Sequence, residues 1–252
     1  MTILITGGSG ALGSELKKVF PTALAPTHQE LDLTNAEQVK AYFEKHPVDL
    51  IIHAAALTGI RQCEDDRMKA FKTNVLGTAL LNNFAKKMIY VSTACVFSGD
   101  DDTKSYTEDD LPNPKNYYAL SKYLGEFQVL KVPYNRIVMR TNFIGLKPYP
   151  YDKAFVDRKG TYLFANHVAK AIGEIANKML AVPENQPISN DIIHICGNKT
   201  LSMYELAQKL HQKLGIVKNI SPTTLADYTG PPLTKNMCLA TTRWVTYDID
   251  RT

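Results

Sequence analysis

The stretch Thr6-Gly7-Gly8-Ser9-Gly10-Ala11-Leu12-Gly13 constrains this chain more than any other. It follows a short apolar run, Thr2 to Ile5, and precedes a helical pattern from Ala11 to Phe20. A strand, a glycine-rich turn and a helix in that order gather free backbone N–H groups and the positive end of a helix dipole at one point. Such a point suits the pyrophosphate of a dinucleotide. Two spacings coexist, Gly8-x-Gly10-x-x-Gly13 and Gly7-x-x-Gly10-x-x-Gly13, and the glycines alone do not choose between them.

The rest of the first half continues the alternation. Thr22–Ala25 reads as a short second strand, and Thr34-x-x-Glu37 as a capping box opening a helix to about His46. Asp49–Ala56 is nearly all apolar, as a buried parallel strand should be. A long helix is expected over 66–86, a strand over Met88–Ser92, a loop over Phe97–Pro114, a helix over Asn116–Leu130 and a strand over Arg136–Arg140. This predicts an α/β fold, a doubly wound parallel sheet of the Rossmann type. In the second half, Pro148–Gly160 reads as loop, Leu163–Leu180 as helix and Asp191–Cys196 as strand. Ser202–Leu214 is a helix with a Ser202-x-x-Glu205 capping box and a stop at Gly215, and Ser221–Leu233 reads as irregular. The expected division is a dinucleotide domain over 1–145 and a small substrate lobe over 146–252, with 160–197 returning to the sheet.

Composition narrows the partners. The net charge is only +4, and no Lys/Arg run suggests nucleic acid or a membrane surface. No apolar segment approaches the roughly 20 residues that span a bilayer. The chain enters a strand at once, with no signal peptide expected, and its four cysteines form no C-x-x-C pair. Reduced thiols and a cytoplasmic setting are therefore expected, with no metal site.

Tyr118-Ala-Leu-Ser-Lys122 carries the chemistry. At i and i+4 on a helix the two side chains share a face. A free tyrosine titrates near ~10, and a nearby cation favours its ionised form. Tyr118 is then suited to exchange a proton with a substrate oxygen while hydride moves at the adjoining carbon. Ser92 and Thr93 end the fourth strand, where open α/β sheets place ligands. They point to opposite faces if extended, and Thr93 is the one expected to orient the reacting oxygen. Tyr118 and Lys122 select the Gly7, Gly10, Gly13 spacing and leave Gly8 as a turn residue.

Taken together, these motifs resemble an extended short-chain dehydrogenase/reductase, and within that group the dTDP-4-dehydrorhamnose reductase family. The ordered matches are Ile5-Thr6-Gly7-Gly8-Ser9-Gly10-x-x-Gly13, Glu30-Leu31-Asp32-Leu33-Thr34, His53-Ala54-Ala55-Ala56-x-Thr58 and Cys63-Glu64. Asn74-Val75-x-Gly77-Thr78, Ser92-Thr93-x-x-Val96-Phe97-x-Gly99, Tyr106-x-Glu108 and Pro114-x-Asn116-x-Tyr118-x-x-Ser121-Lys122 follow, then Gly125-Glu126 and Arg140-Thr141. The resemblance implies Thr93, Tyr118 and Lys122 as the catalytic set. It implies that Gly7, Gly10, Ala11, Leu12 and Gly13 hold the pyrophosphate, that Asp32 and Leu33 flank the adenine, and that Ala54, Ala55 and Ala56 line the cofactor groove. Thr58, Asn74, Tyr118 and Lys122 complete the implied cofactor side. Two departures stand out: Ala94-Cys95 replaces the family's Asp-Tyr, and Tyr118-Ala119 its Tyr-Gly. Nucleotide-sugar dehydratases carry an Asp-Glu pair at 94 and 95, so their elimination lacks its proton carriers here.

The second strand ends Ala25-Pro26-Thr27-His28, with no carboxylate before Glu30. An acid there would bind the ribose 2′-hydroxyl of NAD, so NADP(H) is the preferred cofactor and NAD(H) is possible, with Thr27 or His28 as candidate phosphate contacts. The implied activity is reduction of a nucleotide-linked 4-keto-6-deoxy sugar. The same three residues also serve an NAD-retaining nucleotide-sugar 4-epimerase, and a non-catalytic NADP-binding regulatory subunit is the third alternative. Helices near 66–86 and 116–130 are candidates for a homodimer.

Overall fold

The computed structural model describes residues 1–251. In chain order the first half builds β1 (Ile3–Thr6), α1 (Ala11–Val19), α2 (Ala36–Lys45), β2 (Leu50–His53), α3 (Ile60–Asp65), α4 (Arg67–Phe71) and α5 (Gly77–Phe84). It ends with β3 (Lys87–Val91), α6 (Tyr117–Leu130) and β4 (Arg136–Thr141). The second half adds β5 (Phe143–Ile144), β6 (Lys153–Phe155), β7 (Lys159–Gly160), β8 (Leu163–Phe164), α7 (Ala165–Ala181) and β9 (Asp191–Ile195). Then come β10 (Leu201–Ser202), α8 (Met203–Leu214), β11 (Ser221–Thr223) and β12 (Asn236–Met237).

Five strands form one parallel sheet in the order β1-β2-β3-β4-β9. Both faces are covered, which is why β2 reads Leu-Ile-Ile-His with every residue buried. Ile5, Ile52, Ile89 and Ile137 point to one side and pack with Leu12 and Leu16 of α1 and Ile172 and Ile175 of α7. Leu4, Ile51, Met88, Tyr90 and Val138 point to the other and pack with Val39 of α2, Leu81 of α5 and Val129 of α6. Each such aliphatic side chain contributes roughly 1.5–3 kcal/mol when fully buried, so the two clusters dominate the fold's stability. Among the described residues no helix is long and apolar enough to cross a membrane.

The structure departs from the sequence reading at several joints. Thr22–Ala25 shrinks to a bridge between Leu24 and Leu4, closed by Ile5 N–H to Leu24 O (2.8 Å) and Leu24 N–H to Ile3 O (2.9 Å). Pro21 and Pro26 flank it and remove the donors a longer strand would need. Leu24 lies on one side of β1 and β2 on the other, both in parallel, so the order in which strands are added to the sheet reverses at β1. At α2 the cap is Asn35, whose Oδ1 accepts the Gln38 N–H at 3.1 Å, rather than Thr34. The Thr34 hydroxyl donates instead to Asp32 Oδ1 at 2.7 Å. The helix expected over 66–86 starts earlier and is broken: Asp66 (φ −132°) caps α4 by accepting from Lys69 N–H, and Lys72–Leu76 forms a π turn. At α8 the Ser202/Glu205 capping box forms, and Gly215 closes the helix at φ +64°.

The segments read as loop and irregular coil in the second half contain short strands. β6 pairs in parallel with β11, and β7 lies between β10 and β12. Their partners are far away in sequence and the runs are only two or three residues long, so no local periodicity reveals them. α7 and β9 return to the main body, β9 completing the sheet beside β4.

Candidate active site

The reversal of strand order at β1 leaves a crevice outside the carboxyl ends of the strands, where open α/β sheets bind ligands. A cleft of about 210 Å³ lies there, lined by Thr6, Gly7, Gly8 and Ser9 of the turn, by Pro26, His28 and Leu31–Thr34, and by Ala55, Ala56 and Thr73. Gly7 has φ +73°, and a Cβ on it would stand 2.8 Å from the Ala55 backbone. A Cβ on Gly13 would stand 2.1 Å from the Gly7 carbonyl oxygen. The turn is therefore folded onto the helix start more closely than any side chain allows. Gly10 caps α1 with no side-chain hydrogen bond, so the first N–H groups of the helix are left for a ligand. These features fit an anionic dinucleotide: a groove of small residues, a tight turn, and a helix N-terminus at that reversal.

Thr93 follows β3 in extended backbone (φ −141°, ψ 150°), and its Oγ1 accepts the Cys95 N–H at 3.1 Å. Tyr118 and Lys122 lie one turn apart on α6. The start of α6 is fixed by Asn116, whose Oδ1 accepts from Ala119 N–H (2.9 Å), and by Glu64, whose carboxylate accepts from Tyr117 N–H (2.6 Å). Burial, reinforced by the neighbouring Cys95, pushes the Tyr118 phenol well above its ordinary value, while the Thr93 hydroxyl acts in the opposite direction. Lys122 is 3% exposed and is pulled down to about 7 by burial, against the attraction of Glu126. Its ammonium sits 4.0 Å from the centroid of the Tyr90 ring. The sequence reading couples the Lys122 ammonium to the Tyr118 phenol; in the structure that ammonium lies over the Tyr90 ring, and burial is the largest influence on the phenol. The phenol stays protonated, which suits it to give up a proton to an oxygen gaining negative charge.

A buried network holds these parts in place. His53 is held down to about 3 by burial and by the Lys122 ammonium, so it is neutral. Its Nδ1 lies 2.7 Å from Thr6 Oγ1 and its Nε2 2.9 Å from Thr78 Oγ1. Thr78 donates onward to Asn74 O at 2.7 Å, so its oxygen accepts from Nε2–H, and Nδ1 accepts from Thr6. Asn74 accepts from Leu57 N–H (2.8 Å) and donates to Leu57 O (3.0 Å) and Ser121 Oγ (2.8 Å). The chain of bonds runs from Thr6 at the glycine turn to Ser121 on α6. Ser92 donates to Glu126 at 2.6 Å, and Glu126 is clamped by Arg140 at 3.0 and 2.7 Å.

Several residues sit differently from the sequence reading. Ala55 and Ala56 line the small cleft, whereas Ala54 packs toward the core shared with α1 and α7. Thr58 lines a second, larger cleft of about 1560 Å³. Asn74 spends its side chain on Leu57 and Ser121 and acts as a positioning residue. Asp32 and Leu33 line the small cleft, with the Asp32 carboxylate held by Thr34 and 3.9 Å from His28. Gly8, assigned only to the turn, lines the cleft with Ser9. Glu30 turns away to accept from Thr27 N–H (2.7 Å) and Oγ1 (2.9 Å), which occupies Thr27 and leaves His28 facing the cleft. The large cleft, lined by Phe143, Tyr149, Arg158 and Tyr162 among others, draws on segments whose proximity no local motif announces.

Comparison with known proteins agrees with this architecture. The chain is 29% identical to the dTDP-4-dehydrorhamnose reductase of Aggregatibacter actinomycetemcomitans, over 96% of this chain and 91% of that protein. The crystal structure of dTDP-4-dehydrorhamnose reductase from Yersinia enterocolitica is 25% identical, covers 96% of this chain and 91% of its own, and superposes with a TM-score of 0.79. The Bacillus anthracis enzyme of that name, crystallised with NADP, shares the fold at a TM-score of 0.85, with 22% identity over 98% and 95% of the two chains. The profile of the RmlD substrate binding domain family matches residues 1–244, and the chain belongs to that family.

Proposed function

We propose that this protein reduces a nucleotide-linked 4-keto-6-deoxy sugar with NADP(H) as the preferred cofactor. The observation that carries the reading is the segment at the end of β2. Ala55 and Ala56 border the small cleft and Thr58 the large one, so one stretch of chain adjoins both a dinucleotide groove and a cavity roomy enough for a nucleotide sugar. Residues 1–145, completed by the return of α7 and β9, are the cofactor side, and the short strands and α8 supply the substrate side.

In this reading Gly7, Gly10, Ala11, Leu12 and Gly13 form the pyrophosphate cradle, Ala55 and Ala56 admit the ribose, and Asp32 and Leu33 flank the adenine. His28, with a side chain 81% exposed, is placed to meet a 2′-phosphate, and Glu30 is turned away from that position. When bound, the nicotinamide supplies the hydride. Thr93 orients the carbonyl oxygen, the protonated Tyr118 donates its phenolic proton as that oxygen gains charge, and Lys122 holds the ribose. Ala94 and Cys95 offer no acid–base pair, which supports simple reduction over elimination.

The test is NADPH oxidation with dTDP-4-dehydrorhamnose, alongside Kd values for NADPH and NADH. Turnover with tighter NADPH binding is the expected result. NADPH binding without oxidation across a panel of keto sugars refutes the catalytic reading, and tightly retained NAD refutes it in favour of the epimerase. We further propose a homodimer through the helices near 66–86 and 116–130, which carry the exposed Met68, Leu76, Phe84 and Phe127, checked by sedimentation.

A further inference from the structure

Tyr90 of β3 is fully buried, on the sheet face that α6 covers. A phenol in that apolar layer needs a partner for its polar tip. It finds one in the helix: Tyr90 Oη donates to Lys122 O at 3.2 Å. Helix and ring meet without a gap. A Cβ on Gly125 would overlap Tyr90 Oη and stand 2.9 Å from its Cζ, so glycine at 125 lets α6 lie against the ring. The ring is thereby fixed relative to the turn of α6 that carries Lys122.

The Lys122 ammonium lies 4.0 Å from the centroid of that ring. Among the described residues no carboxylate lies within 4.0 Å of it. Glu126, one turn further along α6, is taken by Ser92 and Arg140. His53 of β2, its ring 5.4 Å from that of Tyr90, is neutral, and Tyr118 keeps its proton. A lysine only 3% exposed is thus held without a counter-ion, by the negative face of an aromatic ring.

We propose that Tyr90 is a positioning residue for Lys122, its ring face holding the ammonium where the ribose of a bound cofactor meets it. It rests on the cofactor reading above. A carboxylate partner would take up N–H donors of the ammonium. The ring face stabilises the charge and leaves those donors for ribose hydroxyl groups. Tyr90 acts through Lys122 and touches no reacting atom.

The test compares the parent with Tyr90→Phe and with phenylalanine analogues at position 90 that carry one, two and three ring fluorines. These keep the shape of the ring while draining its negative face. Lys122 is followed in the free protein by NMR of carbon-13-labelled lysine, its signal identified by its loss in Lys122→Met. Tyr90→Phe should keep the Lys122 titration midpoint near that of the parent. Along the fluorine series the midpoint should fall in steps, by about 0.4–1.5 on the pH scale in all. The Kd for NADPH at neutral pH should rise in parallel, about two- to thirtyfold. A midpoint that does not move with fluorine count overturns the proposal. So does an NADPH affinity that is lost in Lys122→Met yet constant along the series. An affinity unchanged in Lys122→Met sinks the placing of Lys122 at the ribose, and the proposal with it, so the two failures are told apart.

Discussion

Gly13→Ala is the sharpest probe of the cradle. The new Cβ would stand 2.1 Å from the Gly7 carbonyl oxygen, 2.7 Å from Gly8 Cα and 2.8 Å from the Gly7 carbonyl carbon. Carbon–oxygen contacts ordinarily begin near ~3.3 Å, so the turn and the helix start must part by about 1.2 Å. All three obstructing atoms are backbone, and no rotamer change relieves them. Overpacking of this kind costs about 1–3 kcal/mol, or roughly 2–12 °C in Tm for a chain of this size. A backbone N–H bond to a charged phosphate contributes about 1.5–3 kcal/mol, so losing one weakens binding by roughly ten- to a hundredfold. The Kd for NADPH, followed by fluorescence titration, should therefore rise about ten- to a hundredfold. Gly10→Ala is the internal control, since its Cβ meets only Gly7 O, at 3.2 Å, and should change Kd by less than about tenfold. If Gly13→Ala binds NADPH within about threefold of the parent, or Gly10→Ala suffers more, the cradle is not where the pyrophosphate sits.

Tyr118→Phe should lower the rate of keto-sugar reduction by about 10²–10⁴-fold while leaving NADPH affinity near parental, read by steady-state kinetics and titration. Lys122 titrates in the folded protein near 7, below its ordinary value of 10.5. Between those values the unfolded chain binds more protons, so the Lys122 contribution makes stability rise with pH from about 7 to 10.5. Lys122→Met should flatten urea-derived stability across that window. Glu126→Gln leaves the Arg140 guanidinium, 2% exposed, without its carboxylate and should cost about 3–5 kcal/mol in chemical denaturation.

The sequence displays the sheet and its chemistry where they depend on local patterns. The glycine turn, the apolar run of β2 and the Tyr118/Lys122 pair each fit within a few consecutive residues, and Ser202 and Glu205 announce α8 through one capping box. What escapes the sequence is set by distant partners. β6 exists because Ser221–Thr223 lies beside Lys153–Phe155, and β7 because Asn236–Met237 lies beside it. Thr34 looks like a helix cap until Asp32 captures its hydroxyl. The tuning of Tyr118 also comes from tertiary neighbours: burial and Cys95 raise it and Thr93 opposes them, while Lys122 settles over Tyr90 of β3.

The position of β9 also constrains how the molecule is made. Its pairing with β4 and the packing of α7 on α1 both come from residues well past the first half. While the ribosome is still synthesising this region, the face of the emerging sheet with Ile5, Ile52, Ile89 and Ile137 has α1 on it but still lacks α7. That is the type of surface on which nascent chains associate wrongly. A synonymous change that slows translation between β4 and α7 lengthens the vulnerable interval without altering a single residue.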